Sequence, residues 1–167
     1  MPLDAVPADH PMRKTFAAIP PTAETALAAE TTAWRRADIG SANGHANARS
    51  LARALSPISL GSTANGVRLL SPDTIDLIFQ EQANGIDLVL AMPIRWGIGF
   101  ALPHPDALTE MPDEKICYWG GFGGSMVVMN PYRRTTFAYA MNKMGQVTPA
   151  GIERTRKYTQ LIYQGLG

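Results

Sequence analysis

Apolar residues recur at helical spacing just after the turn-rich residues 40–44. Four of them fall on one face of a helix: Ala48, Leu51, Ala52 and Leu55. Asn47 is a residue type that caps the start of a helix, and Pro57 disfavours helical backbone at the residue before it. The pattern therefore predicts a helix that begins after Asn47 and ends near Ser56.

A second helix is predicted from Ser71-Pro72-Asp73, which supplies a cap, a proline at the first helical position and an acid in the first turn. The inward positions that follow are Ile75, Ile78, Phe79 and Gln82. Asn84-Gly85 then predicts the end of the helix, because these residue types readily adopt the left-handed backbone conformation that closes one.

Residues 1–33 have no clear period. Prolines at positions 2, 7, 11, 20 and 21 interrupt any long element, and the alanine-rich residues 23–33 fit either a short helix or a loop on a surface. We therefore treat residues 1–33 as a weakly patterned N-terminal segment and residues 34–167 as the folded domain.

Beyond residue 93 the pattern changes from helical to alternating. Apolar residues at every second position from Ile94 to Leu102 predict one strand, although Gly97 and Gly99 blur the alternation. Residues 115–119, 125–129 and 135–141 predict three more strands, and the turn-forming residues 130–134 join the last two into an antiparallel hairpin.

Thr148-Pro149 predicts the start of a final helix that ends before Gly165. Its inward positions would be Ile152, Thr155, Tyr158 or Thr159, and Ile162. The order is thus two helices, an antiparallel sheet and a helix that covers one sheet face, which is an α+β arrangement.

Composition narrows the classes of partner. A net charge of +1 argues against nucleic acid or an anionic membrane as the main partner, and the nearest basic cluster, Arg133-Arg134, is interpreted as a solvated pair in a turn. No stretch approaches the ~20 apolar residues of a membrane span, and residues 1–14 lack the apolar core of a secretory signal. Cys117 is the single cysteine, so it predicts a buried, inert thiol and a reducing compartment; we expect a cytoplasmic protein.

No metal or cofactor site is predicted. The three histidines, His10, His45 and His104, are far apart and have no metal-ligand spacing. The residues Gly121-Phe122-Gly123-Gly124 lack the third glycine of a dinucleotide-binding fingerprint, and no phosphate-binding lysine follows them.

One passage carries a family resemblance. Residues 117–125 read Cys-Tyr-Trp-Gly-Gly-Phe-Gly-Gly-Ser, and Asn130-Pro131 and Met141-Asn142-Lys143-Met144 follow in order. This passage resembles one in the β-lactamase-related serine hydrolases, and Trp119-Gly120-Gly121 is the form typical of family VIII carboxylesterases, which have the class C β-lactamase fold. Three upstream stretches resemble further landmarks of that family: residues 43–53, 69–72 and 96–100.

The resemblance implies a partial β-lactamase/transpeptidase-like fold, with residues 34–167 as the C-terminal portion of the domain. It also implies a substrate-binding and oxyanion role for four residues: Trp119, Gly120, Gly121 and Phe122. The amide of Phe122 would donate to the oxyanion, Trp119 would form a wall of the acyl pocket, and the two glycines would let substrate approach the backbone. Glycines at a strand end can equally serve only a tight turn or bulge.

In this family the nucleophile and its base come from a Ser-x-x-Lys element, and no serine of this chain has a lysine three residues later. Tyr-x-Asn and Tyr-x-Ser are absent as well. The resemblance places both elements upstream, so we expect a truncated chain to which no catalytic residue is assigned.

Two functions remain open. The chain is part of an esterase-like serine hydrolase for a small-molecule ester or amide, or it is a non-catalytic relative that binds or packs. In either case we expect an unpaired strand edge, such as residues 135–141, to make the isolated chain a homo-oligomer or partly molten, unless residues 1–33 fold back to cover that edge.

Overall fold

The computed structural model describes residues 3–20, 22–145 and 149–167. The chain divides into two compact units: Met1–Ala46 with Ile86–Met92, and Asn47–Gly85 with Pro93–Gly167. The boundary between residues 33 and 34 stays a prediction.

The first unit is built from short helices, as its prolines predict. After a 3-10 turn at Leu3–Ala5 come helices α1 (Pro11–Ala18), α2 (Ala23–Ala28) and α3 (Thr32–Arg36). Each helix has a side-chain cap: His10 Nδ1, Thr22 Oγ1 and Thr31 Oγ1 accept backbone N–H groups at 3.2, 3.3 and 3.2 Å. Most of residues 23–33, for which helix and loop were both open, is therefore helical, with a turn at residues 29–31 between α2 and α3.

The rest of the chain alternates helices with short strands. In order, they are α4 (Ala48–Leu60), β1 (Thr63–Ala64), β2 (Val67–Arg68), α5 (Pro72–Ile78), β3 (Ala83–Ile86), β4 (Pro93–Trp96), β5 (Ala101–Leu102), β6 (Cys117–Gly120), β7 (Met126–Asn130), β8 (Thr135–Tyr139) and α6 (Pro149–Gly165). β1 and β2 form a small hairpin, and the other six strands form one sheet in the order β3-β4-β5-β6-β7-β8. The predicted α+β class is confirmed.

Helix α4 begins as predicted but runs past its proline. Asn47 Oδ1 accepts the Ser50 N–H at 2.9 Å, which confirms the cap. The predicted end near Ser56 is wrong, because the helix continues through Pro57 to Leu60. Proline removes the N–H that would bond the Arg53 carbonyl, and the Ser56 hydroxyl donates to that carbonyl instead, at 2.9 Å. Pro57, Ile58 and Ser59 are buried, so packing also stabilises this last turn of the helix. The rule that proline ends a helix does not take such packing into account.

Helix α5 is shorter than predicted. Ser71 caps it as expected, accepting the Thr74 N–H at 3.1 Å, but the helix ends at Ile78 and not at Asn84-Gly85. The Ile78 carbonyl accepts the N–H of Ile98 at 3.2 Å, a contact distant in sequence that ends the helix early. The predicted closing residues lie in β3 instead.

The single strand predicted over residues 94–102 is wrong, because the chain folds back into the antiparallel pair β4–β5. The Gly97 N–H donates to the Phe100 carbonyl at 2.9 Å, and Gly99 adopts a φ of +76°. A Cβ atom on Gly97 would overlap the Ile78 carbonyl oxygen. The two glycines that blur the alternation therefore form the turn.

The last three strands match the prediction, whereas β1, β2 and β3 were not predicted. β6, β7 and β8 are antiparallel neighbours, and the hairpin β7–β8 pairs Asn130 with Thr135 next to its loop. Arg134 in that loop has a φ of +54°. The final helix α6 is present as predicted but includes Gly165, before which it was expected to end. Thr148, its predicted cap, lies outside the described residues. Of the alternatives Tyr158 and Thr159, Thr159 is the one that is fully buried.

Apolar side chains fill both faces of the sheet. On one face Cys117, Val127 and Met129 pack with residues of α4 and α5. On the other face Tyr118, Met126 and Val128 pack with residues that include Tyr163 of α6. Burial on both faces explains why residues 117–119 of β6 and 126–129 of β7 are apolar instead of alternating with polar residues.

Among the residues that the structure describes, no helix has both the length and the apolar character needed to cross a bilayer. Cys117 is a free, fully buried thiol. Burial raises its pKa to about 12, which fits the predicted inert thiol, because the thiolate is the reactive form.

Candidate functional site

The four predicted site residues lie consecutively where β6 ends. β6 ends at Gly120, the Gly121 N–H donates to the Ser125 carbonyl at 2.9 Å, and the Gly124 N–H donates to the Gly121 carbonyl at 3.1 Å. Residues 121–124 therefore form a β-turn with Phe122 at its second position. Gly123, at the third position, has a φ of +94°, which is typical of a type II turn.

The N–H of Phe122 is available to a ligand. Phe122 is the second residue of this turn, and the internal hydrogen bond of the turn joins Gly124 to Gly121, so it does not use the Phe122 N–H. Within residues 3–20, 22–145 and 149–167, the Phe122 N–H donates no hydrogen bond. Its side chain is 47% exposed. At this turn the Phe122 N–H can thus donate a hydrogen bond to an anionic or carbonyl oxygen.

The glycines have a structural cause of their own. A Cβ atom on Gly121 would overlap Ser125 Oγ, and one on Gly120 would lie 3.1 Å from the Ser125 carbonyl oxygen. The close approach of Ser125 across the hairpin therefore favours glycine at position 121, since a larger residue would displace the Ser125 hydroxyl. That Gly120 and Gly121 also let a substrate approach the backbone stays a prediction.

Trp119 is held by a residue that sequence reasoning did not assign to the site. Its ring centroid lies 4.7 Å from that of Trp96 in β4, with the ring planes tilted by 45°. Trp119 is 36% exposed. The stretch 96–100 is one of the family landmarks, but the strand pattern does not predict contact between these two rings. Across the sheet Trp96 is in register with Ala101, and Ala101 with Tyr118, so the residue in line with Trp96 on β6 is Tyr118 and not Trp119.

The landmark motifs meet at Gly123. A Cβ atom on this residue would lie 2.8 Å from Met144 Cε and 3.0 Å from Met141 Cε, and the Gly145 N–H donates to the Gly123 carbonyl at 2.8 Å. The glycine-rich turn and the Met-Asn-Lys-Met stretch, separated in sequence, are thus packed together. The methionines support the turn that carries the Phe122 N–H.

A polar cluster lies at the far end of β7 from this turn. Arg133 donates to both Glu114 carboxylate oxygens, with Nη2 to Oε1 at 2.7 Å and Nε to Oε2 at 3.0 Å. Asn130 Nδ2 donates to Glu114 Oε2 at 2.7 Å. Arg133 also donates to the carbonyls of Leu166 and Gly167. Its interpretation as a solvated residue is therefore wrong, because its side chain is only 22% exposed.

Electrostatics of this cluster favour the charged carboxylate. The hydrogen bond from Arg133 lowers the pKa of Glu114, against a smaller opposing effect of burial, and the Asn130 hydrogen bond adds to the lowering. The cluster ties the loop before β6, the β7–β8 hairpin and the end of α6 together. We assign it to the fold and not to the site.

No metal centre is built from the side chains that the structure describes: within those ranges, His, Cys, Asp and Glu form no group of three or more that could bind an ion. The features of the candidate site are thus the Phe122 backbone N–H and the partly exposed Trp119 indole.

Comparison with known proteins agrees with this arrangement of sheet and helices. A model of the Beta-lactamase family matches residues 3–160, so the chain belongs to the Beta-lactamase family. No curated protein matches it.

Two solved structures are similar to the chain. One is a penicillin-binding protein homologue from Caulobacter crescentus, with 35% identity over 78% of this chain and a TM-score of 0.66. The other is a family VIII carboxylesterase, with 27% identity over 89% of this chain and a TM-score of 0.70. The chain spans only 36% and 40% of those two proteins, respectively.

Proposed function

We propose that this chain supplies the oxyanion and acyl-binding side of a serine hydrolase cleft that acts on a small-molecule ester or amide. The observation that carries the proposal is the unpaired Phe122 N–H at the Trp-Gly-Gly turn, in a chain of the Beta-lactamase family. The likeness to a family VIII carboxylesterase supports ester chemistry of the acyl-enzyme type.

In the proposed reaction, a serine hydroxyl attacks the ester carbonyl while a base takes its proton. The carbonyl oxygen becomes an oxyanion, which accepts the Phe122 N–H. The alcohol then leaves with a proton, and water hydrolyses the acyl-serine bond in a second pass through the same geometry. A preorganised donor of this kind contributes about 10²–10³ in rate.

The nucleophile has to come from residues that this sequence does not contain. No serine here is followed three positions later by lysine. Ser59 Oγ is engaged with the Thr135 carbonyl at 2.8 Å and is buried, so it is not available for attack. Ser125 packs against Gly121 in the turn itself. We therefore propose that the chain by itself does not catalyse hydrolysis.

A chimaera tests the proposal. The matching region of the family VIII carboxylesterase is replaced by this chain, and turnover of p-nitrophenyl butyrate is measured for Phe122→Pro and Phe122→Ala. Proline is favoured at the second position of a type II turn but has no N–H. We expect Phe122→Pro to lower kcat about 10²–10³-fold and Phe122→Ala to change it far less. Equal effects of the two substitutions on an active chimaera would overturn the assignment of this amide.

The second candidate is a non-catalytic packing module, and the edge strand β8 favours it. Among the described strands β8 has one neighbour, β7. The register with β7 and the alternation of backbone groups leave the N–H and C=O groups of Thr136 and Ala138 pointing away from β7, on the outer edge of the sheet. The strand carries no charge and no proline, the usual protections of an edge. We propose a second copy of the chain as the partner at this edge.

A further inference from the structure

We propose that Trp96 positions Trp119, and that the two indoles together bind an apolar, ring-bearing acyl group of the substrate. This inference rests on the proposed function, because it takes the turn after Trp119 as the place where the acyl carbonyl lies. It adds Trp96 as a positioning residue and a preference of the cleft for acyl groups that carry a ring.

The two rings are in direct contact at a favourable geometry. Their centroids lie 4.7 Å apart with a 45° tilt, and tilted or offset pairs are preferred over a face-to-face sandwich. Trp96 is the anchored member, since it packs against the core residues that include Ile94, Ala101 and Tyr118. Trp119 is the presented member, with 36% of its surface open.

The surroundings of Trp119 explain why it needs this support. Strand β5 consists of Ala101 and Leu102, and Ala101 pairs with Tyr118, so no β5 residue stands opposite Trp119. The next two residues, Gly120 and Gly121, have no side chains to pack against the ring. On the β7 side Val127 stands opposite Trp119, so Trp96 supplies the contact on the other side. Without Trp96 the indole would lose that contact and gain rotamer freedom, and a binding surface made by a more mobile ring loses affinity to ordering entropy.

The exposed part of the pair defines the ligand chemistry. An indole face attracts flat apolar groups through burial and ring stacking. Trp119 lies three residues before Phe122, whose N–H is the proposed carbonyl donor. An acyl group with a ring close to its carbonyl can therefore contact the indoles while its oxygen accepts this N–H. A phenylacetyl group has that form, and an acetyl group does not.

Circular dichroism tests whether the pair exists in solution. The chain has three tryptophans, Trp34, Trp96 and Trp119, and two indoles in contact give a paired positive and negative band in the far ultraviolet. We expect this band pair in the wild type and in Trp34→Phe, and its loss in Trp96→Phe. Its absence from the wild type, or its persistence in Trp96→Phe, would overturn the proposal.

Ligand binding tests the role of the pair. Intrinsic fluorescence of the full chain is titrated with methyl phenylacetate and with methyl acetate. We expect Trp96→Leu to weaken binding of methyl phenylacetate about threefold to tenfold, the range of one aromatic contact, and Trp96→Phe to restore most of it. Trp34→Phe serves as the matched control and should bind like the wild type.

Two results would contradict the inference: equal affinity of Trp96→Leu and the wild type for methyl phenylacetate, or equal affinity of the wild type for the two esters. A thermal melt of each variant shows whether it is folded. If Trp96→Leu does not fold, the affinity of Trp96→Phe for methyl phenylacetate is compared with that of the wild type instead. The comparison of Phe122→Pro with Phe122→Ala touches neither indole. It therefore shows separately whether the proposed function holds.

Discussion

The guanidinium of Arg133 forms a two-pronged ion pair with the carboxylate of Glu114, at 2.7 Å for its shortest contact. The two residues lie in different loops, one before β6 and one between β7 and β8. Asn130, which is 1% exposed, bonds to both of them through its side-chain nitrogen to Glu114 and its side-chain oxygen to the Arg133 N–H. This buried amide therefore holds the pair in place.

Replacing Asn130 by alanine should lower the free energy of unfolding. Two buried hydrogen bonds are lost and the groups left unpaired cost about 1–3 kcal/mol, which corresponds to about 2–4 °C in Tm for each kcal/mol. Urea and thermal unfolding measure the change. Arg134→Lys, in the same loop and exposed, is the control and should stay close to the wild type. An unchanged midpoint for Asn130→Ala would mean that the cluster does not stabilise the fold.

Acid should weaken the protein partly through Glu114. Its folded-state pKa lies below the ordinary 4.5 because Arg133 donates to the charged carboxylate. The resulting stability is present above pH 4.5 and is lost as the pH falls through the folded pKa. In urea melts between pH 7 and pH 3, Glu114→Gln should be less stable than the wild type at pH 7, and the gap should narrow towards pH 3. Asp113→Asn is the control, and a constant gap would contradict the linkage.

The thiol of Cys117 should be unreactive in the folded protein. Its side chain is fully buried and its pKa is raised to about 12. At pH 8 we expect no reaction with a disulfide reagent until urea unfolds the chain. Because the unfolded thiol ionises near pH 9 and the folded one does not, stability should also fall as the pH rises from 9 towards 12. Stoichiometric labelling without denaturant would refute this description.

The purified chain should not hydrolyse p-nitrophenyl butyrate or a chromogenic cephalosporin above background. The reason is that its residues include no serine with a lysine three positions later. Steady-state and burst-phase absorbance measure this directly. A stoichiometric burst, with an acyl label trapped on one of its serines, would show that the chain has a nucleophile of its own.

Association through β8 should be visible as an oligomer in size-exclusion chromatography with light scattering. Ala138 has its N–H on the outer edge, so Ala138→Pro removes a donor from the edge without removing a bond to β7. We expect this variant to shift towards monomer. Phe137→Pro removes a bond within the sheet and should unfold. A wild type that is monomeric and melts sharply would exclude the packing role of this edge.

Local patterns were enough to predict the features that depend on neighbouring residues. The caps of α4 and α5 at Asn47 and Ser71 follow from residue types that can accept a nearby N–H. The hairpin β7–β8 follows from two apolar strands around a short turn-forming link. The four candidate site residues were assigned because the sequence resembles a family passage, and in the structure they lie at a strand end where the Phe122 N–H donates no hydrogen bond. Their role stays a prediction.

Tertiary contacts decided the rest, because they join residues that no local rule connects. Helix α4 passes Pro57 since burial and a serine hydroxyl compensate for the missing bond. The pairing of Trp96 with Trp119 depends on how β4, β5 and β6 twist past one another, which strand alternation does not describe. Arg133 is taken out of solvent by a carboxylate 19 residues away in sequence. In each case packing energy gathered from distant parts of the chain outweighs the local preference.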